Sequence, residues 1–232
     1  QESQAALTEE LLTIYGLEMT LQQVEDAQEG NIVNGCLILK KEEYETSQYQ
    51  KRNDFVAIIA LKLRKVPANM FIKVQSLKTV LMPEAEEIAD GLIENDEVYG
   101  AFAQTNVENC YFPKLKRVGT LAFFKCSFES IGKKNFPALE TVGAIGFGSC
   151  RITTVHLPSL LSLNMLSFYG CSQLRCFDAE KLQEAGDGCF SSCPLLNSIN
   201  CQLEPEKFIC NQLCCNECPV CYHDVEACLR RG

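Results

Sequence analysis

Phe147-Gly148-Ser149-Cys150-Arg151-Ile152-Thr153-Thr154-Val155-His156-Leu157-Pro158-Ser159-Leu160 holds one full statement of a pattern that runs through most of the chain. It opens on a Phe-x-x-small corner, continues as an apolar-x-x-apolar-x-apolar run from Ile152 to Leu157, and stops at Pro158. The corner recurs at Phe71, Phe102, Phe123, Phe168 and Phe190, so successive copies lie 31, 21, 24, 21 and 22 residues apart. A period of roughly 20–29 residues belongs to a repeat solenoid, whose units cannot bury an apolar face alone and must stack. The pattern predicts an α/β-type solenoid whose parallel sheet takes one strand from each coil.

The strand run repeats at 77–82, 107–112, 128–131, 152–157, 174–179 and 196–201, with extra residues after Ile131 and before Phe136. Pro83, Pro113, Pro137 and Pro158 follow strands, where a residue without an N–H ends the ladder. A second apolar pair comes next: Leu115 and Val118, Leu139 and Val142, Leu160 and Leu163, Leu182 and Ala185. Gly119, Gly143 and Gly186 then predict tight corners at positive φ. Over about 55–200 the unit resembles the BspA-like leucine-rich repeats, which read roughly Ala-Phe-x-x-Cys-x-x-Leu-x-x-Ile-x-Leu-Pro-x-x-Leu-x-x-Ile-Gly.

Around the array, residues 1–54 read as an N-terminal cap. Leu7, Leu11, Leu12, Tyr15 and Leu17 carry a helical pattern over 7–28, with Thr8 as its N-cap. Asn31 to Leu39 alternates like a hairpin. Residues 55–200 form the solenoid, with an acidic loop inserted at 84–100, and 201–232 form a Cys-rich C-terminal cap. The start at Gln1 fits a trimmed mature chain or an arbitrary boundary. The net charge of -9 and a pI near 4.9 argue against nucleic acid and anionic membrane surfaces, which need a basic patch. The sequence has no apolar run of the ~18 residues that a membrane span needs, so no membrane insertion is expected.

Fifteen cysteines in 232 residues point to an oxidising compartment or to structural metal. Cys126, Cys150, Cys171 and Cys193 share one repeat position, filled by Val74 and Thr105 in earlier coils. They read as a ladder of small buried residues, with disulfides between rungs as the alternative. Cys210, Cys214, Cys215, Cys218, Cys221 and Cys228 crowd a tail too short to fold by burial alone. Disulfides among them, with Cys176 and Cys189 as further candidates, are the expected solution. Zinc on Cys218, Cys221 and His223, or a redox-active Cys218-Pro219-Val220-Cys221, are the alternatives.

No catalytic constellation stands out. The chain has two histidines, His156 and His223, and no phosphate loop, nucleophile elbow or His-Glu-x-x-His motif. An enzyme is not expected, nor a cofactor. The carboxylates of Glu84-Ala85-Glu86-Glu87 and Glu94-Asn95-Asp96-Glu97 read as a solvated loop, with weak calcium binding as the sharper alternative. Strand alternation instead offers a concave polar face as the binding site. Its residues are Glu108, Asn109, Tyr111, Glu129, Ser130, Thr153, Thr154, His156, Arg175, Asp178, Asn197 and Asn200. The small acidic chain, repeat array and Cys-rich tail together resemble the cyst wall proteins of diplomonad protozoa. That resemblance implies a non-enzymatic secreted protein, carried in secretory granules and laid down in an extracellular wall. It also implies binding to an N-acetylgalactosamine polymer, and association with other wall proteins or with itself. A BspA-type surface adhesin or receptor ectodomain, binding host or matrix proteins, is the alternative.

Overall fold

The computed structural model describes residues 7–209 together with Leu229. Each coil has three sides: a front strand, a short back strand and a corner built on the repeating Phe. The front strands Thr79–Leu81, Asn109–Tyr111, Ser130–Gly132, Thr154–His156, Cys176–Asp178 and Ser198–Asn200 lie within or beside the six sequence runs, each only three residues long. They are preceded by Cys36–Leu39 and Ala57–Ala60, which pair in parallel with each other and with Thr79–Leu81. The second apolar pairs form a six-stranded parallel back sheet: Lys65–Val66, Glu87–Ile88, Arg117–Val118, Thr141–Val142, Ser162–Leu163 and Glu184–Ala185. Ion pairs reinforce its early rungs, with Glu87 between Lys65 (3.2 Å) and Arg117 (3.3 Å), and Glu84 against Lys114 (2.7 Å).

The corner is a hydrogen-bonded ladder in its own right. In one coil Ile145 N–H donates to Met165 O (3.3 Å), Phe147 N–H to Ser167 O (3.0 Å) and Ser149 N–H to Tyr169 O (2.6 Å). Aiming alternate amides along the solenoid axis requires alternate left-handed residues. Two positions before the Phe, Asn69, Leu121, Ile145, Leu166 and Gly188 all have φ between 56° and 64°. Two positions after it, Lys73, Gln104, Lys125, Ser149, Gly170 and Ser192 are also left-handed. A non-glycine residue there costs about 1–2 kcal/mol, and a β-branched one such as Ile145 is unusual.

Burial between the two bends offsets that cost. Phe71, Phe102, Phe123, Phe147, Phe168 and Phe190 are all buried and stack face to face. Ring centroids along Phe71–Phe102–Phe123–Phe147–Phe168 are 5.3, 5.1, 5.3 and 5.5 Å apart, with planes within 14°. Tyr49 (5.7 Å from Phe71) and Phe208 (6.1 Å from Phe190) extend the spine at both ends. Full burial of such a ring stabilises by about 1.5–3 kcal/mol, and the ring pairing by about 0.5–1.5 more. The small residue after each corner points to the preceding coil. Cys126 Sγ donates to Phe102 O (3.2 Å), Cys150 to Phe123 O (3.1 Å), Cys171 to Phe147 O (3.2 Å) and Cys193 to Phe168 O (3.2 Å). No disulfide joins two described cysteines. The rungs are therefore buried thiols rather than bridges. Burial pushes the Cys126 and Cys171 thiols up to about 12 and raises that of Cys150 as well.

Gly119, Gly143 and Gly186 correct one expectation, since none of them has a positive φ in the left-handed region. They are glycine because coils touch there: an added Cβ would lie 2.3 Å from Ala89 O, 2.6 Å from Thr120 N and 2.4 Å from Asn164 C, respectively. The acidic insertion also divides. Glu87–Ile88 is a back strand, whereas Leu92–Glu94 and Glu97–Tyr99 form an antiparallel hairpin turning on Asn95 and Asp96 (φ 50° and 61°).

The single helical pattern over 7–28 resolves into Glu9–Ile14 and Leu21–Asp26, separated at Gly16 (φ 67°). Thr8 caps the first helix, its hydroxyl accepting from Leu11 N–H (3.2 Å), and Thr20 with Gln23 forms a capping box on the second. Leu7, Leu12, Tyr15, Met19 and Val24 make one apolar cluster with Cys36, Ile38, Ala57, Ile59 and Leu81. These helices thus lie on the front of the first coils. The expected hairpin forms between Ile32–Val33 and Cys36–Leu39 and turns at Asn34-Gly35, both left-handed, although Cys36–Leu39 is buried at all four positions rather than alternating. The tail cysteines 210, 214, 215, 218, 221 and 228, with His223, lie outside the described residues.

Phe147→Ala removes one ring from the middle of the spine. It should lower stability by about 3–5 kcal/mol in denaturant unfolding, with a front-strand signal lost in the same transition. The buried thiols predict a second, pH-dependent behaviour. Their folded pKa values are raised, so the unfolded chain loses those protons first as pH rises. The stability they contribute is complete below the unfolded thiol value and falls through the window up to about 12. The expected loss approaches ~1.4 kcal/mol per thiol per pH unit. Cys150→Thr, which copies the Thr105 of an earlier coil, should flatten that alkaline slope when Tm is measured against pH. On the reduced native protein, iodoacetamide at pH 8 should label exposed Cys176 and spare Cys126, Cys150 and Cys171.

Candidate functional site

The front sheet changes character along its length, and side-chain chemistry explains why. Cys36–Leu39 and Ala57–Ala60 are apolar at every position and buried on both faces, because the cap helices cover them. From Asn109 on, only the middle residue of each strand points inward: Cys110, Ile131, Val155, Phe177 and Ile199 are buried. Their polar neighbours face out. The exposed polar face therefore starts where the cap ends.

A break in the sheet marks that boundary. The front strands fall into two sheets, one ending at Asn109–Tyr111 and the other starting at Ser130–Gly132. Elsewhere the carbonyl before each strand accepts from the next coil, as Lys78 O does from Glu108 and Asn109 N–H, and Thr153 O from Arg175 and Cys176 N–H. No such bond links Glu108 O to Glu129 or Ser130. The cause is the extra sequence after Ile131. Asn135 Nδ2 donates to Cys110 O (3.1 Å), while its Oδ1 accepts from Gly132 N–H (3.1 Å). Phe112 N–H then bonds Asn135 O (2.9 Å), and Tyr15 OH from the cap donates to the same Cys110 carbonyl (2.9 Å). The inserted residues take over ladder positions, and the two sheets part.

A cavity of about 390 Å³ occupies the seam. Of the residues expected to bind ligand, Glu108, Asn109, Glu129 and Ser130 line it. Tyr15, Lys134, Asn135 and Arg151 complete much of its wall. Lys134 Nζ lies over the Tyr15 ring, 5.5 Å from its centroid.

Beyond the seam the outward residues stand in rows set by strand register. Ser130, Thr154, Cys176 and Ser198 form one row, and Gly132, His156, Asp178 and Asn200 the next. In the second row His156 Nδ1 donates to Asp178 Oδ2 (2.5 Å), and Asn200 Nδ2 donates to Asp178 Oδ1 (2.9 Å). Thr154, Arg175 and Asn197 are exposed beside them. Two expected site residues play a different part. Tyr111 is half-buried against Tyr15, with ring centroids 6.2 Å apart, so the cap draws it inward. Thr153 ties coils together, its hydroxyl donating to Glu129 O (2.9 Å).

Sequence alternation could not find Tyr15, Lys134, Asn135 or Arg151, since none lies on a front strand. The one available signal was the lengthened spacing between Ile131 and Phe136. Among the described residues no cluster of three or more His, Cys, Asp or Glu side chains could hold a metal. The acidic insertion instead pairs with cations: Asp90 meets Arg117 (2.5 Å) and Glu97 meets Lys73 (3.2 Å). No described helix is long and apolar enough to cross a membrane.

The family model described as BspA type leucine rich repeat region, in six copies, matches residues 98–216, just over half of the chain. No curated protein and no solved structure matches it.

Proposed function

The chain belongs to the BspA-type leucine-rich repeat family, and from that premise we propose that it is a non-enzymatic extracellular binding protein whose open front face holds an amino-sugar polymer. The observation that carries this reading is the pair of in-register polar rows beyond the seam. The His156 imidazole, the Asp178 carboxylate and the Asn200 amide follow one another at the strand spacing of about 4.8 Å, with the hydroxyls of Thr154 and Ser198 on either side of Cys176 in the parallel row. Such a surface repeats along one axis, as a linear polymer does. Acetamido and hydroxyl groups offer both donors and acceptors, and these side chains supply both in return. Each contact is weak, so affinity would come from many rungs and many molecules on one strand of polymer. The wall-type setting, secretion through granules and self-association follow from the cyst-wall-like layout.

His156 and Asp178 test the face without touching the core, being exposed and half-exposed partners of a surface pair that contributes only about 0–1 kcal/mol to stability. The double variant His156→Ala, Asp178→Ala should keep the parent's Tm within a few degrees and lose co-sedimentation with N-acetylgalactosamine polymer fibrils. Unchanged co-sedimentation would remove the front rows from the site. A parent protein that ignores the fibrils and instead binds host cells would establish the adhesin reading.

A further inference from the structure

Four charged side chains surround the seam cavity, and none of them is ion-paired within the described residues. Glu108 and Glu129 stand beside adjoining front strands, Lys134 comes from the inserted residues, and Arg151 from the entry to the next coil. At the early coils of the back sheet, by contrast, several charges pair within the protein: Arg117 meets Glu87 and Asp90, Lys114 meets Glu84, and Lys65 meets Glu87. None of the four seam charges forms an ion pair with another described residue. The backbone supplies a second, independent observation. Glu108 lines the cavity, and its carbonyl lacks the two N–H donors that its counterparts Lys78 O and Thr153 O receive. A partly enclosed cavity with both signs of charge and an open sheet-edge acceptor suits a ligand that carries both signs and an amide.

We propose that the seam cavity binds a small zwitterion of dipeptide size. Its ammonium group lies against Glu108 and Glu129, and its carboxylate against Arg151 and Lys134. Its peptide N–H reaches the Glu108 carbonyl, filling the missing rung as an added strand would. The volume, about 390 Å³, sits at the small end of the ~300–1,000 Å³ range of small-molecule sites. Charge-assisted hydrogen bonds to both ends would supply most of the selectivity. This assignment does not depend on the polymer reading, because the groups proposed to hold the polymer start at Thr154, one coil past the Ser130 that lines the cavity.

Saturation-transfer NMR on the full chain with glycylglycine as probe tests it. Glycylglycine should bind, and N-acetyl-glycylglycine amide, which lacks both charges, should not. Affinity should fall with added salt. Arg151→Ala and Glu129→Ala should each weaken binding about tenfold or more, as loss of one charge-assisted contact implies. Both residues are exposed, so native circular dichroism and Tm should be kept. His156→Ala should leave glycylglycine binding unchanged while it weakens polymer binding, which separates the two sites. Equal binding of the blocked dipeptide, no binding of glycylglycine to natively folded protein at 10 mM (roughly the weakest affinity of interest), or unchanged affinity in both variants would each overturn the proposal.

Discussion

The inter-coil hydrogen bonds at the Phe corner set the terms for everything else in this fold. At the Phe123, Phe147 and Phe168 corners three amides point at the next coil only because the residues two before and two after the Phe turn left-handed. For non-glycine residues those two bends cost about 2–4 kcal/mol together. Three hydrogen bonds, at a net ~0.5–1.5 kcal/mol each, roughly cancel that. The buried, stacked ring decides the balance. The Phe is therefore the energetic reason the corner can exist, and the corner fixes the spacing at which front strands and thiols register. The Cys-to-Phe-carbonyl bonds follow from that spacing: a small donor at the next position satisfies the backbone oxygen of the ring one coil earlier.

A solenoid of identical coils would present one uniform face. Two departures from identity give this one a site. The N-terminal helices cover the first coils with apolar side chains, and the insertion after Ile131 opens the front sheet beside the edge of that cover. The cap contributes Tyr15 to the boundary and the insertion contributes Lys134 and Asn135. The same two departures that interrupt regular packing thus gather unpaired charge and an unpaired carbonyl in one place. On the far side the repeat resumes, and its register lines up the polar rows suited to an extended ligand.

Much of this was legible in the sequence. The Phe period located the six Phe corners, the apolar triplets located the six later front strands to within a residue or two, and the small position after the Phe was read correctly as a buried column; Cys36–Leu39 and Ala57–Ala60, the first two front strands, were not read as coils of the array because neither carries the Phe corner ahead of it. Thr8 as a helix cap and a hairpin within residues 31–39 needed only local chemistry. What could not be read was geometry enforced by neighbours. Ile145 and Leu166 give no local hint of left-handed backbone, since their conformation is imposed by stacking. Gly143 looked like a turn glycine because the sequence does not show that Thr120 N would stand 2.6 Å from its Cβ. Tyr111 alternates outward correctly, yet a helix about a hundred residues away covers it. The seam itself was visible only as a spacing irregularity, whose consequence depended on where the Asn135 amide would reach.

Amide hydrogen exchange on the native protein reads the break in the front sheet most directly. The Glu129 amide has no backbone acceptor across the seam, whereas the equivalent Arg175 and Asn197 amides bond Thr153 O (2.8 Å) and Arg175 O (3.0 Å). All three residues are exposed at the side chain, so protection reports the ladder rather than burial. Glu129 should exchange at least about a hundredfold faster than Arg175 and Asn197, a difference of about 2.7 kcal/mol in opening free energy. Equal protection at the three positions would mean that the front sheet runs unbroken and that the seam cavity does not exist.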